Sequence, residues 1–223
     1  MRLKLLPAIS VWLLSFSFAA ASEDYALIIG DSGQVEGMRE ETSISAVDFA
    51  APLRAAGFEI VQTKNRSSGN MRIAAQRIAT IQDTKGIKTL VIVVMGPVAS
   101  TERGAWAMAN GGPGASSLNV GVSGLPVGAL SDIAAETPGT AVILIAPGRP
   151  VTSFGRGLSP GADALMPADG VGYAIGSAAD LSAFLSEGLL LPHQNLDRLR
   201  EVWADRLTFQ GHWPADRTLQ GAQ

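Results

Sequence analysis

The sequence predicts an α/β fold with a mostly parallel central sheet and helices on both of its faces. Short continuous apolar runs, among them TLVIVVM (89–95) and TAVILIA (140–146), have the length and the β-branched content of buried strands. Segments with helically spaced apolar residues separate these runs. Strands that are buried on both faces and alternate with helices are typical of parallel sheets.

The first strand is predicted at 25–30, where YALIIG forms a continuous apolar run. A helix is predicted over 44–56, and a second strand, FEIVQT, at 58–63. Pro52 lies inside this helix, where it removes a backbone hydrogen bond, and Gly57 suits the position just after it. The predicted apolar face of the helix consists of Ile44, Val47, Phe49, Ala50 and Leu53.

A second helix is predicted over 71–81, with Asn70 as its cap, because an Asn side chain can accept hydrogen bonds from the first helical turn. The third strand (89–95), a short helix (127–135) and the fourth strand (140–146) follow. The apolar side of the 71–81 helix consists of Met71, Ala74, Ala75, Ile78 and Ile81.

Two further helices are predicted at 180–190 and 195–207. The segments 96–124 and 147–179 show no clear element and are rich in Gly, Ala, Ser and Pro, so we expect long loops there. They follow the third and fourth strands, at the edge where open parallel sheets form their sites. The apolar residues at helical spacing in the last helix are Leu196, Leu199, Val202, Trp203 and Leu207.

The N-terminus has the features of a secretory signal. A short basic segment, MRLK, precedes an apolar stretch that is shorter than the ~20 residues a bilayer-spanning helix needs. Ala19 and Ala21 occupy the small-residue positions of an A-x-A site, which predicts cleavage before Ser22. We therefore expect an exported protein, periplasmic or secreted, and the alternative is an uncleaved membrane anchor.

The predicted organisation is a signal peptide (1–21), one domain (22–192) and a C-terminal helix and tail (193–223). The net charge is −3 and no basic patch or stripe is visible, so we expect no nucleic-acid partner. No later apolar run is long enough to span a bilayer, so we expect no stable membrane insertion after signal cleavage. The chain contains no cysteine, which excludes thiol chemistry of its own.

The block from Tyr25 to Asn65, with YALIIGDSGQ and then SAVDFAAPLRAAGFEIVQTKN, resembles the opening of caspase-like domains, the clan of caspases, metacaspases and paracaspases (peptidase C14). The likeness in element order extends over 24–190. It implies a three-layer caspase-like fold, in a family whose active members are cysteine endopeptidases. Ser45-Ala46 stands where the family often has Asp-Ala.

The resemblance also locates the family's catalytic pair. Caspase-like enzymes carry a His in a Gly-His-Gly turn after the third strand and a Cys in an Asp-Ala-Cys or Gln-Ala-Cys turn after the fourth. Here Pro97 stands at the His position, and the Cys position falls on Pro147 or Gly148. Arg149 matches the Arg that often follows the Cys. Neither Pro nor Gly supplies a nucleophile or a base, so the resemblance implies a degenerate member without metal or cofactor that binds or scaffolds a protein or peptide.

Two aromatic residues in the expected loops are candidate binding residues, together with Arg149. Trp106 and Phe154 are large apolar side chains among small residues, and aromatic groups give large contact area at low entropy cost. They either anchor a partner or fix the loops to the core, and the sequence leaves both readings open.

An enzyme of another class is the alternative. Gly30-Asp31-Ser32 after a buried strand resembles the first block of SGNH hydrolases, in which this Ser cleaves esters with the help of a His. That family's Asp-x-x-His sequence is missing, because Leu190 and Phe209 stand three residues before the two histidines, His193 and His212. The simpler reading, which these missing residues favour, is that Asp31 and Ser32 stabilise the turn after the strand by side-chain hydrogen bonds.

Overall fold

The computed structural model describes residues 23–30, 44–109, 114–148, 154–192, 194–213 and 219. The strands are β1 (Asp24–Ile29), β2 (Glu59–Gln62), β3 (Thr89–Gly96), β4 (Val98–Thr101), β5 (Gly104–Met108), β6 (Gly124–Pro126), β7 (Ala141–Pro147), β8 (Ser159–Pro160), β9 (Val171–Ile175) and β10 (Thr208–Gly211). The helices are α1 (Ala46–Ala55), α2 (Ser68–Lys85), α3 (Val120–Ser123), α4 (Val127–Ala135), α5 (Ala178–Phe184), which continues into a π-helical segment (Leu185–Leu189), and α6 (Leu196–Trp203).

The main sheet has six strands in the order β10-β9-β7-β3-β1-β2. The pairs β1–β2, β1–β3, β3–β7 and β7–β9 are parallel, and only the edge strand β10 runs antiparallel to its neighbour β9. The predicted α/β class with a mostly parallel sheet is therefore confirmed.

Both faces of the sheet are covered, which explains why its strands are apolar along their whole length. Successive side chains of a strand point to opposite faces. Leu27 and Ile92 belong to the core on the side of α2 and α4. Ile28 and Val93 belong to the core on the side of α1, α5 and α6. The result is a three-layer arrangement with helices on both faces.

Helix α1 starts at Ala46 because Ser45 and Asp48 form a capping box. The Ser45 hydroxyl accepts a hydrogen bond from the N–H of Val47 (3.3 Å), and the Asp48 carboxylate accepts one from the N–H of Ser45 (2.7 Å). Val47, which was expected on the apolar face, is 53% exposed, so that part of the prediction is wrong. Pro52 lies inside the helix as expected.

Helix α2 starts three residues earlier than predicted. Ser67, not Asn70, is its N-cap, and its hydroxyl accepts from the N–H of Asn70 at 3.2 Å. Ser67 and Asn70 are both capping residue types, and only the backbone path decides between them. At the other end of the chain α6 stops at Trp203, short of the predicted 207, and Val202 is exposed rather than buried.

The expectation of two long loops at 96–124 and 147–179 is wrong. Strands β4 and β5 lie in the first segment, and β6 begins at its last residue. These three strands form a second sheet with β8, in the order β6-β5-β4-β8. The second segment contains β9, the fifth parallel strand of the main sheet. These strands have two to five residues and many small side chains, so they lack the apolar periodicity on which the prediction depends.

The C-terminal stretch contributes the edge strand β10 as well as the predicted helix. Four aromatic rings lie together beneath it in edge-to-face contacts, with ring centroids 5.4 to 6.1 Å apart. These rings belong to Phe184, Trp203, Phe209 and Trp213. They place α6 and β10 in the same core as α5.

Candidate functional site

The carboxyl ends of β3 and β7 lie side by side at the centre of the main sheet. The strands are paired in register up to Gly96 and Pro147. The N–H of Gly148 then donates to the carbonyl oxygen of Gly96 at 2.9 Å, which extends the ladder by one more step. The structure thus brings together Pro97 and the Pro147-Gly148 turn, the positions at which the resemblance locates the catalytic pair.

There is no space for a side chain at Gly148. A Cβ atom there would lie 2.8 Å from the Cα of Gly96 and 3.4 Å from the backbone nitrogen of Pro97. Pro147, in contrast, has an exposed side chain. Of the two positions considered for the nucleophile, 147 is the one from which a side chain can project without displacing the neighbouring strand.

A buried arginine lies over the same turn. Arg66, which follows β2, is 3% exposed. Its Nε donates to the carbonyl oxygen of Met108 at 2.6 Å, and its Nη2 donates to that of Pro97 at 2.7 Å. The guanidinium therefore connects the end of β5 to the turn that follows β3.

The absence of a side chain at Gly96 leaves the space that the Arg66 guanidinium occupies. The Gly96 φ of +97° belongs to a region that side-chain-bearing residues rarely adopt, and a Cβ atom there would lie 2.8 Å from Cζ of Arg66. The sequence reasoning missed Arg66. The one signal that could have found it is its place just after the second predicted strand, at the same edge of the sheet.

Hydrogen bonds of a side chain also join the ends of β1 and β2. The Thr63 hydroxyl is buried, donates to the carbonyl oxygen of Gly30 at 2.8 Å and accepts from the N–H of Gly30 at 3.2 Å. This single side chain joins the ends of β1 and β2. Hydrogen bonds thus join β1 to β2 and β3 to β7 at the carboxyl edge of the sheet, and Arg66 joins the turn after β3 to β5.

Trp106 and Phe154 are both half-buried. Trp106 lies on β5, paired with Ala99 of β4, so its expected place in a loop is wrong. Both rings pack against a small apolar cluster formed by residues of β4, of β5 and of the stretch between β5 and β6. The buried members of that cluster are Ala99, Met108, Ala115 and Val120. The third candidate binding residue, Arg149, lies outside the described residues.

The residues of the hydrolase alternative are only partly described. Asp31, Ser32 and His193 lie outside the described residues. His212 is exposed and follows β10, which runs antiparallel at one margin of the sheet. The carboxyl end of β1 therefore lies at the opposite end of the strands and four strands away, roughly 19 Å across the sheet at ~4.8 Å per strand.

The described residues lack the features of two other kinds of site. They contain no group of three or more His, Cys, Asp or Glu side chains that could hold a metal ion. In the same ranges, none of the helices has the length and apolar character required to cross a membrane.

Comparison with known proteins identifies the fold. No protein-family model matches the chain, and no curated protein does. The solved structure of pro-sf-caspase-1 superposes on it with a TM-score of 0.51, covering 98% of this chain and 99% of that one at 10% sequence identity. At this identity the likeness concerns the fold alone, and that fold is caspase-like.

Proposed function

We propose that this protein is an exported caspase-like pseudopeptidase, inactive as a cysteine protease, that binds or scaffolds a peptide or protein segment. The proposal rests mainly on one observation, which is that the turns after β3 and β7 are joined backbone to backbone and leave no space for a side chain at Gly148. The Gly148 N–H bonds to the Gly96 carbonyl, in a chain that has no cysteine.

The loss of activity follows from what the two turns contain. A working nucleophile and base need side chains within about 3 Å of one another. Pro97 has no group that accepts or delivers a proton, and Gly148 has neither a side chain nor space for one. Arg66 fills the region above Gly96 with a guanidinium, which donates hydrogen bonds but does not act as a base.

A binding role uses the same edge of the sheet. Arg66 and Thr63 hold the strand ends in one conformation, and a preordered surface loses less entropy when it binds a ligand. Trp106 and Phe154 are half-buried, so each keeps part of its ring available to a partner while the rest packs against the second sheet. Arg149 remains a proposed contact on the grounds of the resemblance alone.

Export is part of the proposal and has its own test. The signal features of residues 1–21 predict that mass spectrometry of the exported protein finds Ser22, or a neighbouring residue, as the N-terminus. An intact Met1 in the exported pool would contradict cleavage and favour a retained anchor.

The function is tested by offering the mature protein a mixture of decapeptides. Bound peptides are separated by size exclusion and identified by mass spectrometry, and we expect a defined subset to be retained uncut. Trp106→Ala and Phe154→Ala should reduce the retained fraction. Cleaved peptides would overturn the pseudopeptidase proposal, and covalent labelling of Ser32 by an organophosphonate would replace it with the serine hydrolase.

A further inference from the structure

Two apolar side chains protrude from the stretch that leads into α3. Leu118 is 97% exposed and Val122 is 75% exposed. The N–H of Val122 donates to the carbonyl oxygen of Asn119 at 2.9 Å, so about one helical turn separates the two side chains. A leucine with this exposure touches almost nothing of its own protein. We refer to Leu118 and Val122 together as the apolar tip.

The backbone beneath the apolar tip is held by hydrogen bonds. The Asn119 side-chain oxygen accepts from the N–H of Ser116 at 2.7 Å, and the N–H of Ser117 donates to the carbonyl oxygen of Arg156 at 3.0 Å. Val120, which lies between the two exposed residues, is buried in the small cluster on which the second sheet packs. The exposure of the apolar tip is therefore a property of the folded protein.

Two arginines flank the apolar tip. Nη2 of Arg72, from α2, donates to the carbonyl oxygens of Gly121 and Gly124, on either side of Val122 in the chain. Arg156 is exposed, and its carbonyl oxygen accepts from the residue before Leu118. Among the described residues, neither arginine forms a salt bridge. Both positive charges are thus available to an anionic partner.

The sequence around this surface carries only positive charge. The stretches 64–82, 103–131 and 137–162 contain seven Lys or Arg residues and no Asp or Glu, although the net charge of the whole chain is −3. Segments from all three stretches meet beside the apolar tip. A local excess of positive charge attracts anions and disfavours contact with a like-charged surface.

We propose that the apolar tip binds the surface of an anionic lipid bilayer. Leu118 and Val122 enter the boundary between headgroups and acyl chains, while Arg72 and Arg156 remain at the level of the lipid phosphates. Lipids deform around a protruding side chain, whereas a protein holds a small ligand in a concave site. The contact is peripheral, because side chains enter the lipid and backbone does not. It goes beyond the proposed peptide binding and does not depend on it.

Two other occupants suit this surface less well. A second copy of the chain would bring positive charge against positive charge, and two side chains supply little of the ~800 Å² that each partner buries in a stable interface. An acidic peptide would pair with the arginines, but it offers no pocket in which Leu118 could be buried. Charge and shape together therefore favour the bilayer.

The first test is sedimentation of the mature protein with vesicles of phosphatidylcholine and phosphatidylglycerol, in a ratio of about three to one. We expect binding that is weaker to pure phosphatidylcholine and at about 1 M salt, where charges are screened. Val122→Ser and Leu118→Ser should each weaken it by about tenfold or more, and Arg156→Gln by about fivefold. Val202→Ser, at a 69% exposed position of α6, is the matched control and should have no effect.

A second test reports on Leu118 itself. The chain contains no cysteine, so Leu118→Cys provides a single thiol for a nitrobenzoxadiazole label, whose emission rises and shifts to the blue in an apolar environment. Anionic vesicles should produce this change with the label at 118 and not with the label at Val202→Cys. The labelled proteins should keep the circular dichroism of the unmodified one, because both side chains are exposed.

Three outcomes would each overturn the proposal. They are the absence of sedimentation with anionic vesicles, binding that Leu118→Ser and Val122→Ser leave unchanged, and a label at 118 that stays in water while the protein sediments. Equal binding to pure phosphatidylcholine would contradict the role of the arginines. Binding of polyglutamate without binding of vesicles would assign the surface to an acidic segment of another protein instead.

Discussion

A Cβ atom on Gly148 would lie 2.8 Å from the Cα of Gly96, although the two residues belong to the ends of different strands. The contact is backbone against backbone, and the hydrogen bond from the Gly148 N–H to the Gly96 carbonyl fixes it. Any side chain at 148 must push β3 and β7 apart. The two turns at which the resemblance locates nucleophile and base are therefore joined here by main-chain contacts.

Because of this contact, we expect the protein to be destabilised by a side chain at position 148 and to tolerate substitution at the adjacent position 147. Gly148→Ala should lower the free energy of unfolding by about 1–3 kcal/mol, because the added methyl group meets backbone that cannot move cheaply. Pro147→Ala is the matched control, and it should cost less than about 1 kcal/mol, since its side chain is exposed. Urea unfolding of both variants measures the difference. Equal effects would show that the turns are not closed as described.

Arg66 should be essential to the stability of the same region. Arg66→Met removes a buried guanidinium that donates to the carbonyls of Met108 and Pro97, and should cost on the order of 3 kcal/mol in unfolding free energy. Arg77→Met, at an exposed position of α2, should change it by less than about 0.5 kcal/mol. Similar urea midpoints for the two variants would refute a structural role for Arg66.

Trp106 is expected to combine the two roles that the sequence left open. Because the ring is half-buried against the Met108 cluster, Trp106→Ala should cost about 2 kcal/mol, less than the 3–5 kcal/mol typical of a fully buried aromatic. It should also reduce peptide retention per folded molecule. Thermal unfolding and the decapeptide assay separate the effects, and a loss of stability with unaltered retention would end the binding role.

The capping box of α1 predicts a pH-dependent contribution to stability. Hydrogen bonds from the backbone and then the hydroxyl of Ser45 hold the pKa of Asp48 below its usual range. The folded pKa is below the unfolded value of about 3.9, so the stabilisation is complete above that pH and disappears as the pH falls through the folded pKa. Asp48→Asn should therefore reduce the unfolding free energy at neutral pH, by under about 1 kcal/mol because Asp48 is exposed.

Urea titrations of wild type and Asp48→Asn at neutral pH and at the lowest pH at which both fold provide the check. The difference between the two proteins should shrink at the acidic end. A difference that stays constant would show that the charged form of Asp48 contributes nothing specific.

The C-terminal stretch should be required for the stability of the whole fold. Trp203 is buried and contacts the ring of Phe184, so Trp203→Ala should cost about 3–5 kcal/mol. Its neighbour Val202 is 69% exposed, and Val202→Ala should be nearly neutral. Chemical denaturation followed by circular dichroism compares them. If Trp203→Ala leaves the transition of residues 22–192 intact, α6 and β10 form a separate unit.

The sequence alone determined the parts of this fold that burial dictates. Strands β1, β3 and β7 are buried between two helical layers, so their sequences are apolar along nearly their whole length, and such runs are visible without any structure. The buried residues of α2 recur at helical spacing for the same reason. The likeness to caspase-like domains also came from these elements, and the superposition on pro-sf-caspase-1 supports it at the level of fold.

Only the tertiary structure decided the rest. β5 and β9 are short and rich in small residues, and they exist because distant strands supply their hydrogen bonds, which leaves no periodic pattern in the chain. The importance of Arg66 depends on carbonyl groups 31 and 42 residues away. In the sequence, Gly148 is an ordinary turn residue, and only the structure shows that its backbone lies against that of Gly96. Burial is recorded locally in residue type, whereas backbone pairing and close approach are properties of two segments at once, and no single stretch of sequence specifies them.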